Sequence, residues 1–544
     1  MSADHGACAV FGIGISHAGA VPGDVNGMGF KAFNLQRMAA AGMPVPQAFV
    51  LGTDWCRLHQ RDGDAAGPAL HGVLGEWTRR LEQACGLAFG GERKPLLVSV
   101  RSGAPVSMPG MMDTVLNIGL CDRTVRGLLR LTGNPRLVWD SYRRLVQQYA
   151  QIVHGADPAP FEELAAAAVA QAGVASAREL DFESLAKLAA DSVEVFADAT
   201  GTAFPQDPRE QLEAATVAVF ASWHSARARE YRRLHRIDDA LGTAVTVQRM
   251  VFGNAGGTSG SGVGFTRDPA TGENRLYLDF LFNAQGEDVV SGRHPVTDTD
   301  RLPVALPEVA QRLEELRHAL EATFRDAQEF EFTVQDGRLY LLQTRDAKRT
   351  PWAALRMAVD QVREGLASPA QALARLDGID LPAIERRRVA DAGGVALATA
   401  QPASIGLAVG AIALDAKACK RLAAKGRPAI LVRNDTSTED IAGIAVAAGV
   451  LTARGGRTSH AAVVARQMGK VCLVGCAALR VDEKARVVTL GNRTLREGET
   501  ICLDAEQGRV LAGEPQVIVE RPEGLLSEVA KWQAEPRPAA ARPA

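Results

Sequence analysis

The 544-residue chain is too long for one hydrophobic core and implies roughly three to five domains of about 100–200 residues each. Hydrophobic residues make up 47%, charged residues 23%, and the formal net charge is -2, so composition leaves no footprint of nucleic-acid or membrane binding. The N-terminus MSADHGACAVFGIGISHAGA lacks the basic region of a secretion signal, and no apolar run reaches the ~18 residues of a membrane span. The eight cysteines are scattered without a CxxC, which suits free thiols in a reducing compartment and predicts a cytoplasmic protein.

From the N-terminus, a helical pattern through Phe33, Leu35 and Met38 stops at Gly42 and Pro44 and gives way to the apolar strand Ala48–Leu51. The strand-like run Pro95–Val100 feeds Arg101-Ser102-Gly103 and then the loop Ser107–Thr114, which reads as a ligand edge. Residues 122–240 read mainly as helices. From Thr243 to Tyr340 the period shortens to strands at Ala244–Val247, Arg275–Leu278, Phe330–Val334 and Arg338–Leu342, the last two flanking the hairpin turn Gln335-Asp336-Gly337. The glycine run Gly257–Gly264 fits a wide hairpin turn, a structural role. Residues 351–395 read as a charged helical connection, and 396–515 as a compact α/β domain. Cys472 and Cys476 sit beside a buried strand, which favours structural thiols over a zinc or redox pair. The Pro- and Ala-rich end, Glu535–Ala544, is expected to be disordered.

Within the last domain, Leu451–His460 leads from a strand through Gly455-Gly456 into a helix with Ala461, Val464, Ala465 and Met468 on one apolar face. Thr458 or Ser459 suits the N-cap and Gly469 the position after the helix. His460 therefore falls in the first turn, where unpaired N–H groups and the helix dipole favour an anion. A neutral imidazole there can attack phosphorus, and Arg454 offers a bidentate charge to phosphate oxygens.

The string Gly455–Lys470 resembles the phosphohistidine signature of the pyruvate phosphate dikinase family, the phosphoenolpyruvate-utilising enzymes, with Arg457 where the family usually has Met. The resemblance runs through almost the whole chain. It includes Lys31–Leu35, Ser99–Gly103, Ser107–Thr114, Phe204–Pro208, Val251–Asn254 and Asn283–Asp288. It implies an α/β (α+β multidomain) architecture: an ATP-grasp nucleotide-binding domain in two parts, 1–120 and 241–350, with a helical insertion at 121–240. A helical linker at 351–395, a swivelling α/β phosphohistidine domain at 396–515 and a C-terminal tail at 516–544 follow.

The same resemblance assigns the site residues. His460, Arg101, Arg345 and Arg144 are the implied catalytic groups. Lys31, Arg101, Gly110, Met111, Met112, Asp113, Thr114, Asp279, Glu287 and Glu329 are the implied nucleotide contacts, with Glu331 and Gln343 as Mg²⁺ ligands. Glu329 stands where the family has Asp, and Asp279 where it has Glu. By strand alternation Glu329 and Glu331 share a face, as do Gln343 and Arg345.

The implied reaction is ATP-dependent autophosphorylation of His460, with ATP as substrate, Mg²⁺ as cofactor and inorganic phosphate as the co-substrate expected to yield pyrophosphate beside AMP. The family's pyruvate- and phosphoenolpyruvate-binding barrel, a fold of about 250 residues, has no counterpart in this sequence. A separate barrel protein or another phosphoryl acceptor is therefore the expected partner. The alternatives are direct phosphorylation of a small molecule and a non-catalytic nucleotide-binding regulator.

Overall fold

Alternating and fully apolar runs become strands, and capped amphipathic runs become helices, in a computed structural model that describes residues 8–15, 23–106, 108, 111–290, 298–390, 396–404, 406–436, 440–456 and 459–534. Packing divides the chain into two units, Met1–Gly256 with Tyr340–Gln343, and Gly257–Leu339 with Thr344–Ala544.

The first unit is built on an antiparallel sheet of β1 (Val10–Ile13), β2 (Ala48–Leu51), β3 (Val98–Gly103), β4 (Thr114–Ile118) and β5 (Ala244–Arg249), in the order β1-β2-β5-β3-β4. Helix α1 (Phe30–Ala40) starts hard against the end of β3. The Phe30 N–H donates to the Ala104 carbonyl at 2.8 Å, and Gly29, at φ +75°, lies so close that a Cβ there would overlap the Gly103 carbonyl. Residues 122–235 form six helices, α2 (Asp122–Thr132), α3 (Pro135–Val153), α4 (Ala159–Ala172), α5 (Phe182–Thr200), α6 (Pro208–Ser222) and α7 (Ala226–His235). Their ends follow local chemistry. Asn134, Asp181, Asp207 and Ser225 each accept a backbone N–H at an N-cap, while Gly133, Gly173 and Gly201 close helices in the left-handed conformation.

The second unit opens with β6 (Gly260–Phe265), so the glycine run expected as a wide turn is instead mostly a fully buried strand. The reason is cross-strand. Cβ atoms at Gly260, Gly262 and Gly264 would run into the rings of Phe280, Phe332 and Phe330, so the glycines make room for aromatic side chains contributed by both neighbours. β7 begins at Tyr277 rather than at Arg275 and ends at Phe282, followed by the short helix α8 (Gly286–Val290) and by α9 (Pro307–Phe324). β8 (Gln328–Gln335) and β9 (Arg338–Asp346) flank Asp336 and Gly337, both at positive φ as a type I′ turn requires. The sheet order is β9-β8-β6-β7.

The connection expected to be helical holds α10 (Pro351–Arg363) and α11 (Pro369–Arg375), but it ends in a strand, β10 (Arg386–Val389). The following sheet comprises β11 (Ala396–Thr399), β12 (Gln401–Ser404), β13 (Leu407–Ala413), β14 (Ala429–Arg433) and β15 (Gly449–Thr452). Helix α12 (His460–Gln467) precedes its remaining strands, β16 (Val471–Val474), β17 (Thr500–Asp504) and β18 (Arg509–Ala512). The order is β11-β18-β17-β13-β14-β15-β16-β12, with β13 to β16 mutually parallel. The stretch expected as a tail contains β19 (Val517–Glu520), paired with β10, and α13 (Glu523–Ala534), packed on α10 and α11 through Val529 and Trp532. Residues Glu535–Ala544 lie outside the described residues. No helix among the described residues is long and apolar enough to cross a membrane.

Candidate functional site

In the first unit, Lys31 is half-buried at the second position of α1, the helix end docked on the end of β3. Arg101 lies on β3, opposite Thr114 of β4 and Thr246 of β5. Its guanidinium reaches the Gln248 side chain at 3.4 Å and the Leu342 carbonyl at 3.5 Å, which puts Arg101 against the strand segment that carries Gln343. Met111, Met112, Asp113 and Thr114 are all half-buried, and Gly110 lies outside the described residues. Arg144, on α3, pairs with Asp140 at 2.9 Å, as does Arg143. Burial works against the Asp140 charge, but the two guanidiniums outweigh it and hold the carboxyl below its ordinary range.

A residue that sequence reasoning missed is Arg227, on α7. Its Nε donates to the Met111 carbonyl at 3.2 Å and its guanidinium pairs with Asp113. The separation of 114 residues leaves no local signal for this contact.

In the second unit the ladder gathers the predicted acids. Asp279 of β7 stands opposite Val263 of β6, which stands opposite Glu331 of β8; Tyr277, Phe265 and Glu329 form the next such row. Residues directly opposite in antiparallel pairs share a face, so Asp279, Glu329 and Glu331 project from one side of the sheet, with Gly260, Gly262, Gly264, Phe280, Phe330 and Phe332 on the other. Glu287 is exposed on α8. Arg345 pairs with Glu329 at 2.5 Å. An unbroken ladder from the Asp336-Gly337 turn would set Glu329 opposite Thr344 and turn Arg345 to the far face. The in-out alternation of β9 breaks at Leu342 and Gln343, both half-buried between buried Leu341 and Thr344, and beyond that break Arg345 reaches Glu329 on the carboxylate side. Burial lowers the basicity of Arg345, but Glu329 and then Glu331 outweigh it and hold its pKa above the ordinary value.

Glu329 is 5% exposed, and its Oε2 has no hydrogen-bond partner among the described residues. A desolvated carboxylate oxygen two residues from Glu331 on the same face is a hard oxygen donor set, and it fits a divalent cation such as Mg²⁺.

His460 is the first residue of α12, which crosses over between the parallel strands β15 and β16. The turn before it continues from the carboxyl ends of β14 and β15, where the Ala453 and Arg454 N–H groups donate to the Arg433 and Asn434 carbonyls at 3.0 Å. Ligands of parallel sheets gather at such ends. Ser459 takes the N-cap, but without a side-chain cap bond; its Oγ is buried and has no partner among the described residues. Thr458 and Arg457 lie outside the described residues. Gly469 adopts the left-handed conformation after the helix, as expected. On the expected apolar face, Ala461 and Ala465 are buried, whereas Met468 is 39% exposed because the helix ends before it can turn that side chain inward. At the C-terminal turn of α12, Arg466 donates to the Ala403 carbonyl at 3.1 Å and lies 5.3 Å from the centre of the Phe265 ring on β6. Tyr277 adds a bond to the Pro402 carbonyl at 3.1 Å, so the helix that begins with His460 rests on the sheet that carries the carboxylates.

Comparison with known families matches this layout at both ends. The model for the pyruvate phosphate dikinase AMP/ATP-binding domain matches residues 73–306, and that for the mobile domain of phosphoenolpyruvate-utilising enzymes matches residues 426–508, which contain His460. These define the class, an ATP-binding part followed by a mobile domain. Pyruvate, phosphate dikinase of Clostridium symbiosum is 42% identical over 511 residues, covering 93% of this chain and 58% of that protein. Pyruvate, phosphate dikinase 2 of Zea mays is 42% identical over 508 residues, covering 93% and 57%, and the Rhizobium meliloti enzyme is 42% identical over 540, covering 96% and 60%. The chain belongs to the pyruvate phosphate dikinase family and spans somewhat more than half the length of these relatives.

Proposed function

We propose that this chain is an ATP-dependent phosphotransferase that charges His460. A ring nitrogen of His460 attacks the β-phosphorus of ATP, the α–β bridge breaks, and AMP leaves with the bridging oxygen. Inorganic phosphate then attacks the terminal phosphorus of the pyrophosphoryl group; pyrophosphate departs and one phosphoryl group stays on the imidazole. The observation that carries this reading is His460 at the first position of α12, within a mobile-domain match, in the same chain as an ATP-binding match.

In this reading the ATP-grasp halves are 1–120 and 241–350, around the helical insertion 121–240, and the phosphohistidine domain is 396–515. Lys31, Arg101 and the Gly110–Thr114 loop hold the polyphosphate, with Arg144 and Arg345 neutralising developing charge. Asp279 and Glu287 contact the nucleotide, and Glu329, Glu331 and Gln343 would hold Mg²⁺, whose chemistry here is to offset charge on the phosphate oxygens. The unpaired N–H groups at the start of α12 and the Ser459 hydroxyl stabilise the anion on His460. Phosphate, rather than water, is the co-substrate favoured by relatives named pyruvate, phosphate dikinase. The phosphoryl group passes to pyruvate or a related acceptor on a separate protein. The eight free cysteines support a reducing, cytoplasmic setting.

Incubation with β-³²P-labelled ATP, Mg²⁺ and phosphate tests the core of the proposal. Acid-labile label on the wild type and none on His460→Ala supports it; equal labelling of both refutes it. Pyrophosphate that appears only when phosphate is added identifies the co-substrate, whereas orthophosphate identifies water.

A further inference from the structure

We infer that Arg227 is a positioning residue for the phosphate-binding loop, which it clamps at both ends of Met111–Asp113; this rests on the reading of that loop as a polyphosphate cradle. The fork of one guanidinium spans the segment, with Nε on the Met111 carbonyl at 3.2 Å and another nitrogen on the Asp113 carboxylate.

Among the described residues, part of the loop's other support is apolar and comes from the same region. Ala104 and Met108 are buried with Trp223 and Ala228, and Met111 and Met112 pack onto this cluster. Apolar contact of this kind is non-directional, so it holds the loop down without fixing which way its N–H groups point. Arg227 adds direction at the Met111 carbonyl and at Asp113, beside the Met111 N–H bond to the Met108 carbonyl at 3.3 Å and the pairing of Thr114 with Arg101.

The frame behind Arg227 is stiff. Ser225 caps α7, and the buried Arg232 stacks 4.1 Å from the Trp223 ring centre while bonding both the Trp223 carbonyl and Asp239 at 2.5 and 2.6 Å. Arg227 therefore transmits a fixed position from α7 to the loop.

Charge gives the clamp a second effect. Asp113 places a carboxylate within the loop that would receive a polyanion, and Arg227 neutralises it. Loss of Arg227 would free the backbone and also expose a like charge to the phosphates. The Arg227 and Asp113 side chains are 52% and 26% exposed, so the pair adds little to global stability. A positioning role and a structural one are thus separable.

The experiment is calorimetric titration of ATP with Mg²⁺ into the full chain as wild type, Arg227→Ala, Arg227→Lys, Arg227→Ala/Asp113→Asn and Arg101→Ala, with melting temperatures alongside. Arg227→Ala is expected to weaken ATP binding about tenfold, the scale of a lost charge-assisted pair, with no change in melting. Arg227→Lys recovers part of the loss, since the charge returns without the fork, and Asp113→Asn recovers part by removing the stray carboxylate. If Arg101→Ala weakens ATP binding and Arg227→Ala does not, or if Arg227→Ala lowers the melting temperature in step with affinity, the inference falls while the phosphate-site reading stands. If the wild type binds no ATP, both fall.

Discussion

Arg267 lies two residues after the end of β6, its side chain is completely buried, and replacing it should unfasten the sheet that carries Asp279, Glu329 and Glu331. Its Nε lies 3.0 and 3.1 Å from the two oxygens of Glu321 on α9, Nη2 lies 2.7 Å from the second of them, and Nη1 lies 3.1 Å from Glu364 at the end of α10. The Thr266 hydroxyl adds a 2.7 Å bond to Glu321. Burial disfavours the Arg267 charge, but the two carboxylates outweigh it and keep the guanidinium pKa above its usual value. Removing one partner of a buried pair costs about 3–5 kcal/mol, because the other charge stays desolvated and unpaired, whereas an exposed pair is worth about 1 kcal/mol or less. With the side chains of Arg267 and Glu321 at 0% and 3% exposure, the larger figure applies. Arg267→Met should therefore lose about 3–5 kcal/mol in urea unfolding, with hydrogen exchange accelerating in the peptides that cover β6 and α9. Arg267→Met/Glu321→Met should regain much of it. A single-variant loss under about 1 kcal/mol, or a double variant no more stable than Arg267→Met, would refute the reasoning.

Three further outcomes follow from the same geometry. Gly262→Ala would bring a Cβ to 2.7 Å from the Asp279 carbonyl and into the Phe332 ring, which is buried and stacked on Phe280, so a loss of about 1–3 kcal/mol is expected in urea unfolding and wild-type stability would contradict it. Burial opposes the Asp326 charge but Arg349 outweighs it, so its pKa is depressed in the folded state; the stability gap between wild type and Asp326→Asn should be constant from about pH 6 to 8 and close as pH falls below about 4. A gap that survives full protonation would disprove that account. Burial pushes the Cys419, Cys472 and Cys502 thiols up to about 12, so a thiol reagent at neutral pH should rapidly modify at most the half-buried Cys8 and Cys85 in the native protein and all eight cysteines in denaturant; rapid native labelling of Cys472 would count against it.

What was legible from the sequence was local chemistry. The Asp336-Gly337 turn, the mainly helical stretch 122–240, and the helix that begins at His460 each depend on residues within a few positions of one another, and each is present. What was not legible depended on distant partners. Gly260–Gly264 forms a strand because Phe280, Phe330 and Phe332 arrive from other strands, and a glycine run by itself carries the composition of a turn. Strand alternation placed Glu329 with Glu331 and Gln343 with Arg345, but it could not say that Arg345 meets Glu329, since that contact lies beyond the break in the alternation of β9. Arg227 was invisible for the same reason as Arg267: both meet partners tens of residues or more away in the sequence.

The sheet of the second unit separates two tasks between its faces, and the separation explains why its acids can be held firmly. Phe280 and Phe282 alternate with Asp279 along β7, and Phe330 and Phe332 alternate with Glu329 and Glu331 along β8. With no side chains on that face of β6, rings from both neighbours close over it, and Phe280 and Phe332 stack at 5.8 Å with planes 6° apart. A strand residue cannot shift along its axis without moving its neighbours, so rings locked on one face set the positions of the carboxylates on the other. The positions of Asp279, Glu329 and Glu331 are thus set from behind by packing, while Glu329 is held in front by its pair with Arg345.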